Sequence, residues 1–175
     1  MTFRTSDADP VPSLKVVREF KRKSMNKKTV LFVCTANSAR SQMAEALVNH
    51  DLSDRFEASS AGTAPRFPHP AALRVLAEIG LDHSRARSKS LDEFADRTFD
   101  HVITLCDGAN ETCPVFFGGV RRVHLGFEDP AAASGSEEDV LIVFRRVRDQ
   151  IREVVEKYLR ETEESETTSG PGSRA

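Results

Sequence analysis

Four short apolar runs, separated by stretches with helical periodicity, pattern this chain. Val30 to Val33 is a continuous β-branched and aromatic run, as in a strand buried on both faces of a parallel sheet. Phe56 to Ser60 reads as a second short strand closed by Ala61 and Gly62, Phe99 to Leu105 as a third, and Val120 to Leu125 as a fourth. After the first run, Met43, Ala44, Leu47 and Val48 recur at helical spacing, with Gln42, Glu45 and Asn49 on the opposite face. Between the second and third, His69 to Gly80 carries Pro70 at a helix start, Leu73, Leu76, Ala77 and Ile79 as a stripe, and Gly80 as a stop. Ser90 can cap a short helix at LDEF. A last helix begins at Ser136 with Glu137, Glu138 and Asp139 in its first turn, followed by Val140, Phe144, Val147, Ile151, Val154, Val155 and Tyr158 on the core side. Strands alternating with helices predict an α/β fold, three-layer α-β-α, around a four-stranded parallel sheet. With right-handed crossovers and order 2-1-3-4, strands one and three lie side by side and share a crevice at their carboxyl ends.

The ends differ from this core. Residues 1–27 read as a mobile N-terminal extension, 28–159 as the folded domain, and 160–175 (RETEESETTSGPGSRA) as a disordered tail that has nothing to bury. The 175-residue length suits one domain. A formal net charge of −2 supplies no general attraction for nucleic acid or an anionic membrane, so affinity for an anion must come from a local field. No apolar run approaches the roughly 20 residues of a membrane span, and no signal-peptide pattern opens the chain, so a cytoplasmic location is expected. The three cysteines, an odd number, point to reduced thiols with chemistry rather than a disulfide framework. A monomer is expected.

The candidate chemistry sits where the first strand meets the first helix. Cys34 ends the strand, and Thr35, Ala36, Asn37, Ser38 and Ala39 form a loop leading to Arg40 and Ser41. The unpaired N–H groups of a helix start make an anion site, and the Arg40 fork can hold two oxygens of a tetrahedral oxyanion. The same field favours thiolate over thiol at Cys34, and Ser41 can donate to the sulfur. Cys-x5-Arg alone is common by chance; the strand and helix around it give it weight. Cys106 follows the third strand, on the same rim of the sheet. Cys113 comes seven positions later; a rigid helix would hold the two Cα atoms roughly 10 Å apart. A disulfide tolerates about 7 Å at most, so joining Cys106 to Cys113 demands a loop or an unwinding helix. Asp129, after the fourth strand, is either a proton donor to a departing oxygen or simply the start of an Asp-Pro turn. Arg85, Arg87 and Lys89 are surface charge or a positive entrance.

The stretch VLFVCTANSARSQMAEAL resembles the low-molecular-weight tyrosine phosphatase superfamily, and more closely its thioredoxin-coupled arsenate reductase branch, over about Lys28 to Leu159. TLCDGANETCP is similar to the redox segment of that branch, and GFEDPA to its general-acid loop. The resemblance implies a low-molecular-weight phosphatase-like fold, arsenate held by residues 35–41, attack by Cys34, and protonation by Asp129. It also implies a disulfide passed from Cys34 and Cys106 to Cys106 and Cys113, with thioredoxin as the external reductant and no tightly bound cofactor or catalytic metal. Some relatives hold potassium near the loop through positions that include Asn37, Glu45 and Ser60; here a Lys89 or Arg87 charge is expected in its place. Ala36 stands where relatives often have Gly, and Ala39 where they often have Cys. Ala131 and Ala132 replace aromatic residues of the phosphatases, and Gln42 stands where phosphatases tend to have Pro. Hydrolysis of phosphate esters, and a non-catalytic oxyanion-binding or redox-sensing module, remain the alternatives.

Overall fold

The computed structural model describes residues 27–106 and 121–168. Four strands, β1 (Lys28–Cys34), β2 (Phe56–Gly62), β3 (His101–Thr104) and β4 (Arg121–His124), form one parallel sheet in the order β2-β1-β3-β4. β1 is therefore central. Its continuous apolar run is explained by the two cores it serves. Val30 and Phe32 face a large cluster containing Met43, Leu47, Phe56, Phe144 and Ile151, whereas Leu31 and Val33 face Leu91, Phe94, Phe99 and Val102. Helices α1 (Arg40–Asp51), α2 (Pro70–Ala77) and α3 (Glu137–Thr168) belong to the first side; a 3-10 turn at Leu91–Phe94, closed by a capping box from Ser90 and Glu93, covers part of the second. The α/β three-layer reading holds.

β3 is shorter than its apolar run because Asp100 turns from ladder to clamp: its carboxylate accepts from the Thr29 N–H (2.7 Å) and the Thr29 hydroxyl (2.9 Å), and pairing with β1 begins at His101. Two helix faces also differ from the sequence pattern. In α2 the buried positions are Ala72, Val75 and Leu76, while Ala77 is exposed. In α1 Gln42 is fully buried and Glu45 half-buried, so only the end near Asn49 and His50 meets water. The helix is sandwiched between the sheet, α2 and α3, and the segment around residues 83–89, which leaves little polar face to solvent.

The tail boundary needs correction. α3 continues to Thr168, beyond the expected end of the domain at 159. Glu163 pairs with Arg55 at 2.8 Å, and Glu166 pairs with Lys28 and Arg121, so the acidic turns answer cations at the amino ends of the strands. A run with nothing to bury is held by charge instead. The extension at 1–26, Cys113, and residues 169–175 lie outside the described residues.

Candidate active site

The last residue of β1 delivers Cys34, buried to 3 % exposure, to the start of α1. Its Sγ accepts from the Asn37 N–H at 3.1 Å and lies 2.9 Å from the Ser41 hydroxyl oxygen, so two dipoles converge on the sulfur. Ala39, the residue before the helix, has no side chain that could accept from the first-turn amides, which leaves those donors to an anion.

Asn37 shapes the loop. It takes φ of 47°, a conformation Asn tolerates better than most side chains, and it is the sole non-glycine with positive φ among the described residues. Ala36, where relatives often have Gly, is therefore spared that conformation. The Asn37 amide nitrogen donates to the hydroxyls of Ser41 and Ser60, each at 2.8 Å; its side-chain oxygen accepts from the Lys89 N–H at 2.7 Å and from Gln42 at 3.2 Å. Its carbonyl accepts from the Ser88 hydroxyl and from Gln42. Beneath the loop, a Cβ on Gly62 would lie 2.6 Å from the Thr35 carbonyl oxygen and 2.9 Å from the Asn37 nitrogen, so glycine permits the close approach of β2.

Arg40 is fixed from the opposite rim. Its guanidinium donates to the Phe127 carbonyl at 3.0 Å and lies 3.4 Å from the Asp129 carboxylate. Asp129 also accepts from the Ala131 N–H at 3.2 Å, starting the 3-10 turn Pro130–Ala132. The turn reading of Asp-Pro holds, and the turn places the half-exposed Asp129 carboxyl group beside Arg40.

Cys106, two residues past the end of β3, is brought to the same place. Its Sγ lies 3.3 Å from both the nitrogen and the hydroxyl oxygen of Thr35, the residue adjoining Cys34. Cys34 and Cys106 are both free thiols. Of the three basic candidates, Lys89 bonds both Glu45 carboxylate oxygens (3.1 and 2.9 Å), Arg87 pairs with Glu93, and Arg85 is exposed. Glu45 also accepts from the Ser60 hydroxyl, so the lysine charge occupies the Asn37, Ser60 and Glu45 corner. Among the described residues no cluster of three or more His, Cys, Asp or Glu is arranged to hold a metal ion, and no helix is long and apolar enough to cross a membrane.

Several participants escaped the sequence reading. Gln42 donates to the carbonyls of Asn37 and Arg87, both at 3.0 Å, and meets the His83 ring at 3.0 Å. Burial lowers the pKa of His83. The His69 N–H donates to the Ser38 carbonyl, and burial likewise lowers the pKa of its ring, stacked on Phe144 at 4.7 Å, against the opposing pull of the Asp129 charge. His-Pro at a helix start was the only local signal.

Arg40, Cys34 and the amides between them make a cup for a tetrahedral oxyanion, with one thiol inside it and a second at its edge. The family model for low molecular weight phosphotyrosine protein phosphatase matches residues 29–168. An arsenate reductase of Halalkalibacterium halodurans is 42 % identical over 134 residues, 77 % of this chain and 96 % of its own length. A solved arsenate reductase in the phosphate binding state superposes with a TM-score of 0.67 at 33 % identity, covering 77 % of this chain and 98 % of that one. The thioredoxin-dependent arsenate reductase of Corynebacterium glutamicum gives a TM-score of 0.58 at 29 % identity, covering 81 % and 67 %. On its residues, its sheet and these similarities, the chain belongs to the low molecular weight phosphotyrosine protein phosphatase family, among its arsenate reductases.

Proposed function

We propose that this protein reduces arsenate to arsenite with electrons from its own cysteines and is reset by an external dithiol protein. Arsenate lies in the cup of residues 35–41, with two oxygens on Arg40. The Cys34 thiolate attacks arsenic; an As–O bond breaks, and the departing oxygen takes a proton from Asp129 and leaves as water. The Cys106 thiolate then attacks the Cys34 sulfur. The S–As bond breaks with its electron pair on arsenic, so As(V) becomes As(III), arsenite leaves, and a Cys34–Cys106 disulfide remains. Cys113 attacks the Cys106 sulfur, returning Cys34 as thiolate and moving the disulfide to Cys106 and Cys113. Two electrons from a protein such as thioredoxin restore both thiols. A reducing compartment such as the cytoplasm suits this cycle, which needs one chain only.

The observation that carries this reading is the position of Cys106, whose sulfur sits on Thr35 beside the nucleophile. Phosphate and arsenate are alike in charge and close in size, so the cup alone does not separate a reductase from a hydrolase. A hydrolase has no use for a second thiol at that edge, and alanines stand at 131 and 132, where the phosphatases carry aromatic residues.

The test is to mix reduced protein with arsenate, quench with an alkylating agent and map the disulfide. A Cys106–Cys113 bond with one equivalent of arsenite is expected, and Cys113→Ser should stall at Cys34–Cys106. Three free thiols together with brisk hydrolysis of an aryl phosphate would select the hydrolase.

A further inference from the structure

The segment from β2 to α2 runs alongside the anion loop. Thr63 N–H donates to the Cys34 carbonyl at 3.3 Å, Ala64 to Thr35 at 2.9 Å, Arg66 to Ala36 at 2.8 Å and His69 to Ser38 at 2.9 Å. The Ser38 hydroxyl adds a bond to the Phe67 carbonyl, at 2.9 Å. Pro65 and Pro68 flank the crest and lower its freedom further. On this fixed rail the Phe67 side chain stands 92 % exposed, more than any other large apolar side chain among the described residues. Beside it lies a groove of about 350 Å³ lined in part by Arg66, Ala86 and Arg87. A rigid backbone holding an aromatic ring in water forgoes its burial, and such pre-ordered aromatics are the usual anchors of protein interfaces.

We propose that Phe67 is the anchor on which a small dithiol protein docks to reduce the oxidised enzyme; the proposal rests on the reductase cycle given above. Thr35 links the two places. Its nitrogen and hydroxyl hold Cys106, and its carbonyl holds Ala64, three residues from Phe67. Three residues of extended chain span about 10 Å. A standard interface covers about 800 Å² of each partner, a disc of roughly 16 Å radius. The path from the Cys106 sulfur through Thr35 and Ala64 to Phe67 is about 20 Å at most, so one partner that reaches the Cys106 disulfide is wide enough to cover Phe67 as well. The charges near the ring define that partner. Arg87 is neutralised by Glu93, while Arg66 is exposed and leaves a positive charge beside the ring. The occupant is a dithiol protein with an apolar rim around its attacking cysteine and acidic groups outside it. Its thiolate attacks one sulfur of the enzyme disulfide to form a mixed disulfide, and its second thiol displaces the enzyme thiolate, so two electrons pass and the partner leaves oxidised. A small thiol would need no such platform.

The experiment follows arsenate reduction at varied thioredoxin concentration, with thioredoxin reductase and NADPH, and in parallel with dithiothreitol alone. In Phe67→Ser the KM for thioredoxin should rise about tenfold, equivalent to about 1.4 kcal/mol, and Phe67→Tyr should restore most of it. The KM for arsenate and the dithiothreitol-driven rate should hold. An unchanged KM for thioredoxin overturns the proposal. So does an equal loss with both reductants, or a wild-type enzyme turned over by dithiothreitol but not by thioredoxin. Failure of arsenate to oxidise any cysteine of the wild-type protein, read by alkylation, instead removes the reductase reading itself.

Discussion

Thr35 grips the sulfur of Cys106 twice, with its amide nitrogen and its hydroxyl each 3.3 Å away, while its own neighbour is Cys34, the nucleophile of the proposed cycle. One residue thus sets the spacing between the two thiols, which attack in turn in the proposed cycle. Thr35→Val keeps the amide and removes the hydroxyl, a loss of about 1 kcal/mol of hydrogen bonding. Single-turnover arsenite release should slow about fivefold with phosphate affinity unchanged. Equal rates would show that the hydroxyl does not support Cys106.

Gly62 carries the loop on its back. A methyl group there meets the Thr35 carbonyl at 2.6 Å and the Asn37 nitrogen at 2.9 Å, both backbone atoms that cannot swing aside. Gly62→Ala should destabilise the fold by about 1–3 kcal/mol, as overpacking does, and weaken phosphate binding more than tenfold. Urea unfolding and phosphate titration measure the two effects separately.

Lys89 and Glu45 form a largely buried pair, 15 % and 16 % exposed at the side chain. Lys89→Met leaves the Glu45 carboxylate with the Ser60 hydroxyl but without its cation, and a loss approaching 3 kcal/mol is expected for a pair this buried. Added potassium chloride, compared with choline chloride, should recover part of it. Equal melting curves in the two salts would show that the corner takes no inorganic cation.

His101 is buried in β3 between the rings of Phe56 and Tyr158, and its Nδ1 has no hydrogen-bond partner among the described residues. Burial, then Lys28 and Arg121, lower its pKa below the ordinary value, against a smaller opposing pull from Glu166 and Asp100. The folded protein binds this proton less readily than the unfolded chain. Its stability contribution is present above the unfolded value of about pH 6.5 and is lost progressively as pH falls from there through the lower folded value. Urea unfolding at pH 7.5 and 5.5 should show the drop, and His101→Leu should reduce it.

The last turns of α3 contribute through charge. Ending the chain after Arg160 removes Glu163 from Arg55 and Glu166 from Lys28 and Arg121. Exposed pairs are worth about 0.2–1 kcal/mol each, so loss of the three should lower Tm by roughly 1–12 °C. An unaltered Tm would mean that the pairs contribute nothing.

The catalytic strand, loop and helix were legible because their signal is local. Val30 to Val33 specifies a strand buried on two faces, Cys34 stands at its end, and Arg40 opens a helix, all within a dozen consecutive residues. Hydrophobic period gave the order of the elements but misjudged faces where a helix is enclosed. Gln42 looked like a solvent residue because nothing in its neighbourhood tells that residues 83–89 fold over it. The end of α3 was missed for a related reason: its acidic turns have no apolar stripe, and the cations that hold them lie on strands far away in sequence.

By itself, then, the sequence determined that a thiol meets a helix start at the carboxyl edge of a parallel sheet, since backbone periodicity and cap chemistry are properties of contiguous residues. Tertiary structure decided which groups shape that meeting: Gly62 under the loop, Lys89 on Glu45, His69 against Phe144, and Thr35 against Cys106. Those contacts join segments tens of residues apart, and a hydrogen bond over ångström distances exists only once packing has fixed both of its ends.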